Sequence, residues 1–216
     1  MFDFIQKFKN TRLYWKYRHF IQKDTWSTYY NDFSKDRRNF YTYLVNKYKC
    51  NTVFEFGCAS GPNLKNIDLG SNHRVFLYGY DISKSAIKFA NDHLTSKTFF
   101  FSFKLSEKQI KFKLTEWGYQ SFDMAIYDRV LCCMNEKNVY DHFSKFSKYF
   151  NLVVIDDFHN EKSNENNGKY SAKNFKAILF NFDFQLISEE DSGHILSEDI
   201  FFKRNAKRMI FQKKLV

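Results

Sequence analysis

The feature that most constrains the fold is a short segment at residues 53–64, which reads VFEFGCASGPNL. Its apolar start predicts a buried strand, and Gly57 and Gly61 let the backbone turn tightly and approach a ligand closely. Pro62 suits the first turn of a helix. The segment therefore predicts a strand, a turn and a helix in direct succession, a unit that α/β proteins use to bind nucleotides.

Strand and helix patterns alternate along the rest of the chain. We predict strands at 52–56, 75–80, 98–105, 122–127, 152–155, 184–188 and 209–214, and helices at 34–49, from 62 onward, at 85–94, 137–149 and 172–182. The polar stretch 159–171 indicates a mobile loop, and the spacing of apolar residues predicts that residues 1–48 are helical and amphipathic. This order predicts an α/β fold with a doubly wound, mainly parallel seven-stranded sheet, an antiparallel last strand and preceding N-terminal helices.

Acidic residues around the turn indicate which ligand it suits. Asp81 follows Gly61 by 20 residues, at the end of the next predicted strand, where a carboxylate can accept hydrogen bonds from a ribose. A dinucleotide-binding turn reads GxGxxG and holds a pyrophosphate. Here Glu55 precedes the first glycine, and a carboxylate suits an ammonium group, such as that of S-adenosylmethionine. The alternatives are an ordinary strand-to-helix turn and, for Asp81, a helix cap.

These residues resemble the class I, Rossmann-like S-adenosylmethionine-dependent methyltransferases. Residues 55–61 resemble the first motif of the family, Asp81 resembles its acidic ribose ligand, and residues 122–131 resemble its fourth-strand segment. The resemblance spans residues 50–157 and implies a methyltransferase domain at 49–216. Residues 1–48 precede this domain, and we predict that they form an N-terminal helical lid over the acceptor.

The resemblance also implies the roles of individual residues. Glu55 is expected to face the methionine amino group, Asp81 to hold the ribose, Ile82 to pack on the adenine and Asp128 to lie near the methionine moiety. After the third strand the family often places an acidic residue near the adenine amino group. The further residues expected to contact the cofactor are Gly57, Cys58, Ala59, Gly61, Asn63, Ser106 and Glu107.

The acceptor is much less constrained, because methyl transfer from a sulfonium mainly requires alignment and, for some acceptors, removal of a proton. Asp156, Asp157 and His159 follow the fifth predicted strand and are the candidate catalytic residues, able to accept a proton or bind a metal. The alternative for them is a helix cap followed by a solvated loop. Many relatives carry histidines after the fourth strand, where this chain has Cys132 and Cys133.

Composition limits the acceptor and the compartment. The only proline is Pro62, so the Asn/Asp-Pro-Pro-aromatic and Pro-Cys motifs of many nucleic acid base methyltransferases are missing. This argues against nucleic acid and favours a small-molecule or sugar/glycan-intermediate acceptor, modified at oxygen or nitrogen. The net charge of +10 fits an anionic acceptor, RNA, a membrane surface or a solvated lysine-rich surface.

Other readings stay open. The chain is also compatible with a non-catalytic cofactor-binding module, or with a basic methyltransferase-like protein associated with RNA or a membrane. Four cysteines without metal spacing, and an N-terminus unlike a signal peptide, favour a cytoplasmic protein with reduced thiols and no resident metal.

Overall fold

The computed structural model describes residues 35–162, 170–192 and 200–214. Its seven strands form one sheet in the order β3-β2-β1-β4-β5-β7-β6, which confirms the predicted fold class. The strands are β1 (Thr52–Phe56), β2 (Phe76–Tyr80), β3 (Phe99–Ser102), β4 (Phe122–Asp128), β5 (Phe150–Phe158), β6 (Phe184–Asp191) and β7 (Ala206–Lys213). The α-helices are α1 (Lys35–Tyr48), α2 (Pro62–Gly70), α3 (Lys84–His93), α4 (Glu107–Trp117), α5 (Glu136–Phe146), α6 (Phe175–Phe180) and α7 (Ile200–Asn205).

The described residues divide into two compact units, one up to residue 124 and the other from residue 125 onward. In the first unit β1 pairs with β2 and β2 with β3, both in parallel. The carboxyl ends of these strands therefore lie at one edge, where Gly57, Asp81 and Ser102 are found. Among the described residues no helix is both long and apolar enough to cross a membrane.

The start of β1 is held by a partly buried hydrogen-bond network. One carboxylate oxygen of Asp123 accepts hydrogen bonds from the N–H groups of Asn51 at 2.7 Å and Thr52 at 3.1 Å. The hydroxyl of Thr52 accepts one from the N–H of Asp123 at 2.9 Å. These bonds set where β1 begins, and so where its carboxyl end delivers Gly57.

Helix α1 packs into the core of its unit. Tyr41, Leu44 and Val45 are buried, and Gly70 at the end of α2 lies so close that an added Cβ would be 2.7 Å from Thr42. Residues 35–48 of the predicted lid are thus a core helix. Residues 1–34, including the first predicted helix, lie outside the described residues.

Helix α4 was not predicted from the sequence. Its capping residues are conventional: the hydroxyl of Ser106 accepts a hydrogen bond from the Gln109 N–H at 3.3 Å, and Gly118 ends the helix with φ 83°. Apolar residues at 110, 112 and 114 obscure the helical period in the sequence, but only Ile110 and Leu114 are buried while Phe112 is exposed.

The second unit contains the antiparallel part of the sheet. β7 pairs with both β5 and β6, as expected for the closing pair. β5 extends through Phe158, three residues beyond the predicted strand end at 155. Helix α6 is shorter than predicted, α7 was not predicted, and most of the predicted loop at 159–171 lies outside the described residues.

Candidate active site

The turn after β1 is held by its own backbone amides. The N–H groups of Gly57 and Cys58 donate to the carbonyl of Tyr80 at 2.7 and 3.0 Å, and that of Gly61 donates to Cys58 at 2.8 Å. Gly57, Ala59 and Gly61 all have positive φ, at 80°, 50° and 81°. Because these amides are bound to protein oxygens, they do not form the amide cradle that a pyrophosphate requires.

Asp81 connects this turn to the end of β2. One carboxylate oxygen accepts a hydrogen bond from the Ala59 N–H at 3.0 Å, and the other accepts one from the Ser83 N–H at 2.8 Å. Burial raises the pKa of Asp81, and the two backbone N–H groups act against that rise. Each carboxylate oxygen has two lone pairs, so the side chain can accept further hydrogen bonds from a ribose.

Glu55 and Asn63 form a buried pair across the turn. The Asn63 amide donates to the Glu55 carboxylate at 2.8 Å, and the two residues are 4% and 2% exposed. Cys58 is also buried, and burial, with the charges of Glu55 and Asp81, raises the pKa of its thiol well above the usual value. The turn therefore presents two buried carboxyl groups and no thiolate, a chemistry that fits an ammonium-bearing ligand and not a phosphate.

The remaining residues predicted to lie near the adenine are found beyond β2 and β3. Ile82 is partly buried between Asp81 and Ser83, the cap of α3. Ser106 is exposed and caps α4, and Glu107 lies in the first turn of that helix. An open groove of about 670 Å³ lies beside them, lined by Tyr80, Phe103, Lys104, Leu105, Ser106, Lys108, Gln109 and Phe112.

Asp128 ends β4 in the second unit and is partly buried. The next residue, Arg129, has a positive φ of 56°, and its N–H donates to the carbonyl of Asp156 at 2.9 Å. The chain then enters a short 3-10 helix, Leu131–Cys133, in which the thiols of Cys132 and Cys133 are 3.8 Å apart.

Asp156 lies inside β5 and is completely buried. Its carboxylate accepts hydrogen bonds from the Ser192 hydroxyl at 2.6 Å and from two nitrogens of Arg208 at 3.2 and 3.3 Å. Arg208 is its direct partner in the β5–β7 register, so the two side chains share a face of the sheet. Asp156 is one half of a buried ion pair.

Asp157 points to the opposite face, because successive strand residues alternate. Its two oxygens accept hydrogen bonds from the N–H groups of Leu131 at 2.8 Å, Cys132 at 3.1 Å and Phe158 at 2.8 Å. Burial raises the pKa of Asp157, and these N–H groups act against that rise. Asp157 caps the 3-10 helix, and the two adjacent carboxylates do not form a pair.

His159 is buried, at 4% exposed, and pairs with Lys173 through a parallel bridge. Its Nδ1 lies 3.0 Å from the carbonyl of Lys173 and 3.2 Å from the backbone nitrogen of Phe175. Its Nε2 has no hydrogen-bond partner in the described part of the chain. Burial lowers the pKa of His159, which favours the neutral imidazole that can accept a proton.

Sequence reasoning missed the buried Lys173, which is 2% exposed. Its ammonium donates to the carbonyl and hydroxyl of Ser171 at 3.2 and 2.8 Å, and burial lowers its pKa. Lys173 lies just after a segment that we predicted to be a loop, and lysines there are usually exposed. Nothing in the sequence therefore indicates that it is buried. Within residues 35–162, 170–192 and 200–214, no group of three or more acidic, histidine or cysteine side chains is arranged to hold a metal.

Comparison with known proteins identifies the family of this domain. The model of a methyltransferase domain family matches residues 48–206, while a search of curated proteins found no match. The chain therefore belongs to this methyltransferase family, as a class I S-adenosylmethionine-dependent enzyme.

Solved structures share the fold at low sequence identity. The plantazolicin methyltransferase BpumL, solved with a desmethylPZN analog and SAH, has a TM-score of 0.61 and 13% identity, over 99% of this chain and 98% of that one. Magnesium protoporphyrin IX methyltransferase from Synechocystis PCC 6803, with bound SAM, has a TM-score of 0.58 and 14% identity, over 98% and 96%. The 16S rRNA methylase ArmA has a TM-score of 0.54 and 18% identity, over 85% of each chain.

Proposed function

We propose that this enzyme transfers a methyl group to oxygen or nitrogen of a small molecule or a sugar/glycan intermediate. The observation that carries the cofactor half of the proposal is the turn after β1, whose amides are bound to protein oxygens while Glu55 and Asp81 supply negative charge beside it. That arrangement suits a ligand with an ammonium group and a ribose but no phosphate. S-adenosylmethionine supplies the methyl group as an electrophile on sulfur.

In this proposal Glu55, oriented by Asn63, attracts the methionine ammonium, and Asp81 accepts hydrogen bonds from the ribose hydroxyls. Gly57, Cys58, Ala59 and Gly61 provide the backbone surface against the cofactor. Asp128 lies near the methionine moiety. Ile82 packs on the adenine, with Ser106 and Glu107 at its far side.

For the acceptor, we propose that His159 takes the proton, if the acceptor atom carries one. Asp156 and Asp157 remain candidates to face the acceptor, but their carboxylates are occupied by Arg208 and by backbone N–H groups. The Nε2 of His159 is the one polar side-chain atom of these three residues that lacks a protein hydrogen bond in the described residues. His159 would act in its neutral form.

The comparisons do not select the acceptor class, since the structural relatives are named for plantazolicin, magnesium protoporphyrin IX and 16S rRNA. The missing proline motifs favour a small molecule over a nucleic acid base, and the net charge of +10 favours an anionic one. The free cysteines fit the reducing cytoplasm. Residues 1–34 would form the lid over the acceptor, and peripheral contact with a membrane would use the same basic segment.

The deciding experiment uses the full chain with methyl-labelled S-adenosylmethionine and three separated cell fractions: small molecules, glycans with their lipid-linked intermediates, and RNA. Glu55→Gln serves as the inactive control, and Glu116→Gln, an exposed carboxylate on α4, as the matched surface control. Label in the small-molecule or glycan fraction, lost in Glu55→Gln and kept in Glu116→Gln, supports the proposal. Label in RNA alone would overturn it, and cofactor binding without label in any fraction would favour the non-catalytic module.

A further inference from the structure

The side chain of Arg129 stands out at the carboxyl end of β4. Its guanidinium lies 5.2 Å from the ring centroids of both Phe158 and Phe202. The residue is partly exposed, and within the described part of the chain no carboxylate or carbonyl accepts a hydrogen bond from its five side-chain N–H groups. An arginine held on two rings with its donors unused is ready to bind an anion from outside the chain.

The backbone fixes this arginine in place. Arg129 has φ 56°, a conformation that costs free energy for a residue with a Cβ and that is concentrated at functional sites. The hydrogen bond from its N–H to the Asp156 carbonyl holds that conformation, and the Asp156 side chain is itself fixed by Arg208 and Ser192. The backbone from which the guanidinium extends is therefore fixed by contacts with β5.

The neighbours of Arg129 are aromatic. Tyr170 and Phe202 are partly buried and pack on the buried Phe158, with ring centroids 5.4 and 4.8 Å from it, and Cys133 packs against the same cluster. Tyr170 and Phe202 meet nearly edge to face, at 5.9 Å and 83°. These partly exposed rings offer apolar surface to a planar group beside the arginine.

The charges near Arg129 indicate which kind of anion the site would bind. Lys173, a buried cation near this cluster, directs its ammonium to Ser171. One available guanidinium matches one negative charge, and its planar fork fits a carboxylate in a bidentate manner.

We infer that Arg129, with Phe158, Tyr170 and Phe202, binds the carboxylate of a planar, apolar acceptor. The inference rests on the proposed function, because it names the substrate class for that reaction. The acceptor would be an aromatic or conjugated carboxylic acid. Arg129 would bind its carboxylate while the rings contact its planar body.

The test measures binding of naphthoate, its neutral isostere naphthamide and inorganic phosphate to the full chain at constant ionic strength. The variants are Arg129→Gln, which removes the charge, and Arg129→Lys, which keeps the charge but loses the fork. Arg74→Gln is the matched control. The guanidinium of Arg74 also lies over a phenylalanine ring, 4.8 Å from the centroid of Phe76, but Arg74 is exposed and is distant from Arg129 in the sequence. Binding of S-adenosylhomocysteine is measured in parallel, and thermal melting checks that each variant is folded.

We expect naphthoate to bind the wild-type protein at least about tenfold more tightly than naphthamide, since only the former makes charge-assisted hydrogen bonds. Arg129→Gln should bind naphthoate about tenfold more weakly than the wild-type protein does. Arg129→Lys should show a smaller loss of naphthoate affinity, and Arg74→Gln should show none. S-adenosylhomocysteine affinity should stay within about threefold in every variant.

Three results would overturn the inference. Equal binding of naphthoate and naphthamide would exclude carboxylate recognition, and this comparison needs no variant to fold. Loss of S-adenosylhomocysteine affinity in Arg129→Gln, with naphthoate unaffected, would assign the arginine to the carboxylate of the cofactor. Tighter binding of inorganic phosphate than of naphthoate would assign the site to a phosphate. Absence of S-adenosylhomocysteine binding to the wild-type protein would overturn the proposed function instead, and the naphthoate series would still decide the role of Arg129.

Discussion

Asp81 and Ala59 are 22 residues apart in the chain, and the Asp81 carboxylate accepts a hydrogen bond from the Ala59 N–H at 3.0 Å. This bond joins the end of β2 to the turn after β1. The same carboxylate that is expected to hold the ribose therefore also shapes the turn on which the cofactor would lie. Effects of changing Asp81 should combine a lost ligand contact with a loosened turn.

We predict that Asp81→Asn weakens S-adenosylhomocysteine binding by at least about tenfold, because charge-assisted hydrogen bonds to two hydroxyls are each worth about 1.5–3 kcal/mol. Isothermal titration calorimetry gives the affinity directly. Asp68→Asn, at an exposed position on α2, is the control and should bind normally. Unchanged affinity in Asp81→Asn would leave the residue with a purely structural role.

Asp157→Asn should destabilise the fold. The carboxylate accepts three backbone N–H groups, and an amide can offer only one oxygen to them, so a buried N–H loses its acceptor. Urea denaturation should show a loss of about 1–3 kcal/mol. Wild-type stability with reduced turnover in this variant would instead support a catalytic role for Asp157.

His159→Asn separates catalysis from packing, because asparagine places a polar atom near the position of Nδ1 and removes Nε2. If Nε2 takes the acceptor proton, turnover should fall by about a hundredfold or more, while cofactor affinity stays within about threefold. The measurement is turnover with the cell fraction that becomes labelled by methyl-labelled S-adenosylmethionine, alongside calorimetry with S-adenosylhomocysteine. Equal losses in turnover and cofactor affinity would place His159 in the cofactor pocket or the fold.

His142 should make stability depend on pH. It is buried, its Nε2 lies 2.8 Å from the Tyr127 hydroxyl, and burial lowers its pKa from 6.5 to about 3. The unfolded chain therefore binds a proton at higher pH than the folded chain does. The stability contribution is complete above about pH 6.5 and is lost as pH falls toward 3, at up to about 1.4 kcal/mol per pH unit.

Urea denaturation between pH 7 and 5 checks this prediction. His142→Gln, which can still accept from the Tyr127 hydroxyl, should flatten the decline in unfolding free energy. His93→Gln, at an exposed position at the end of α3, should leave the decline as in the wild type. Identical slopes in all three proteins would contradict the prediction.

Two truncations test the N-terminal lid. Removing residues 1–33 leaves α1 intact and should preserve cooperative melting and cofactor binding but abolish acceptor turnover. Removing residues 1–46 also deletes the buried Tyr41, Leu44 and Val45, and should unfold the domain. Full turnover after removal of residues 1–33 would exclude a lid role for these residues.

The same truncation also tests the RNA- and membrane-associated alternatives. Strong salt-dependent binding of the intact chain to RNA or anionic vesicles, lost on truncation, would favour them.

The sequence alone determined the elements whose signals are local. Residues 53–64 predicted β1, the turn and α2, because strand, glycine and proline preferences act within a few residues of each other. Helix α4 had local signals as well, in the Ser106 cap and Gly118, but its apolar residues at alternate positions obscured them. The alternation of strands and helices predicted a doubly wound, mainly parallel sheet.

Only the tertiary structure decided what the residues after β4 and β5 do. Acidic residues disfavour strands, so the sequence placed Asp156 and Asp157 beyond the end of β5. Pairing with β7 opposite Arg208 and Lys207 instead extends the strand and sends the two carboxylates to opposite faces. Within the described residues, the contacts of the Arg129 guanidinium and of the His159 ring are likewise made with segments far along the chain, which no local pattern encodes.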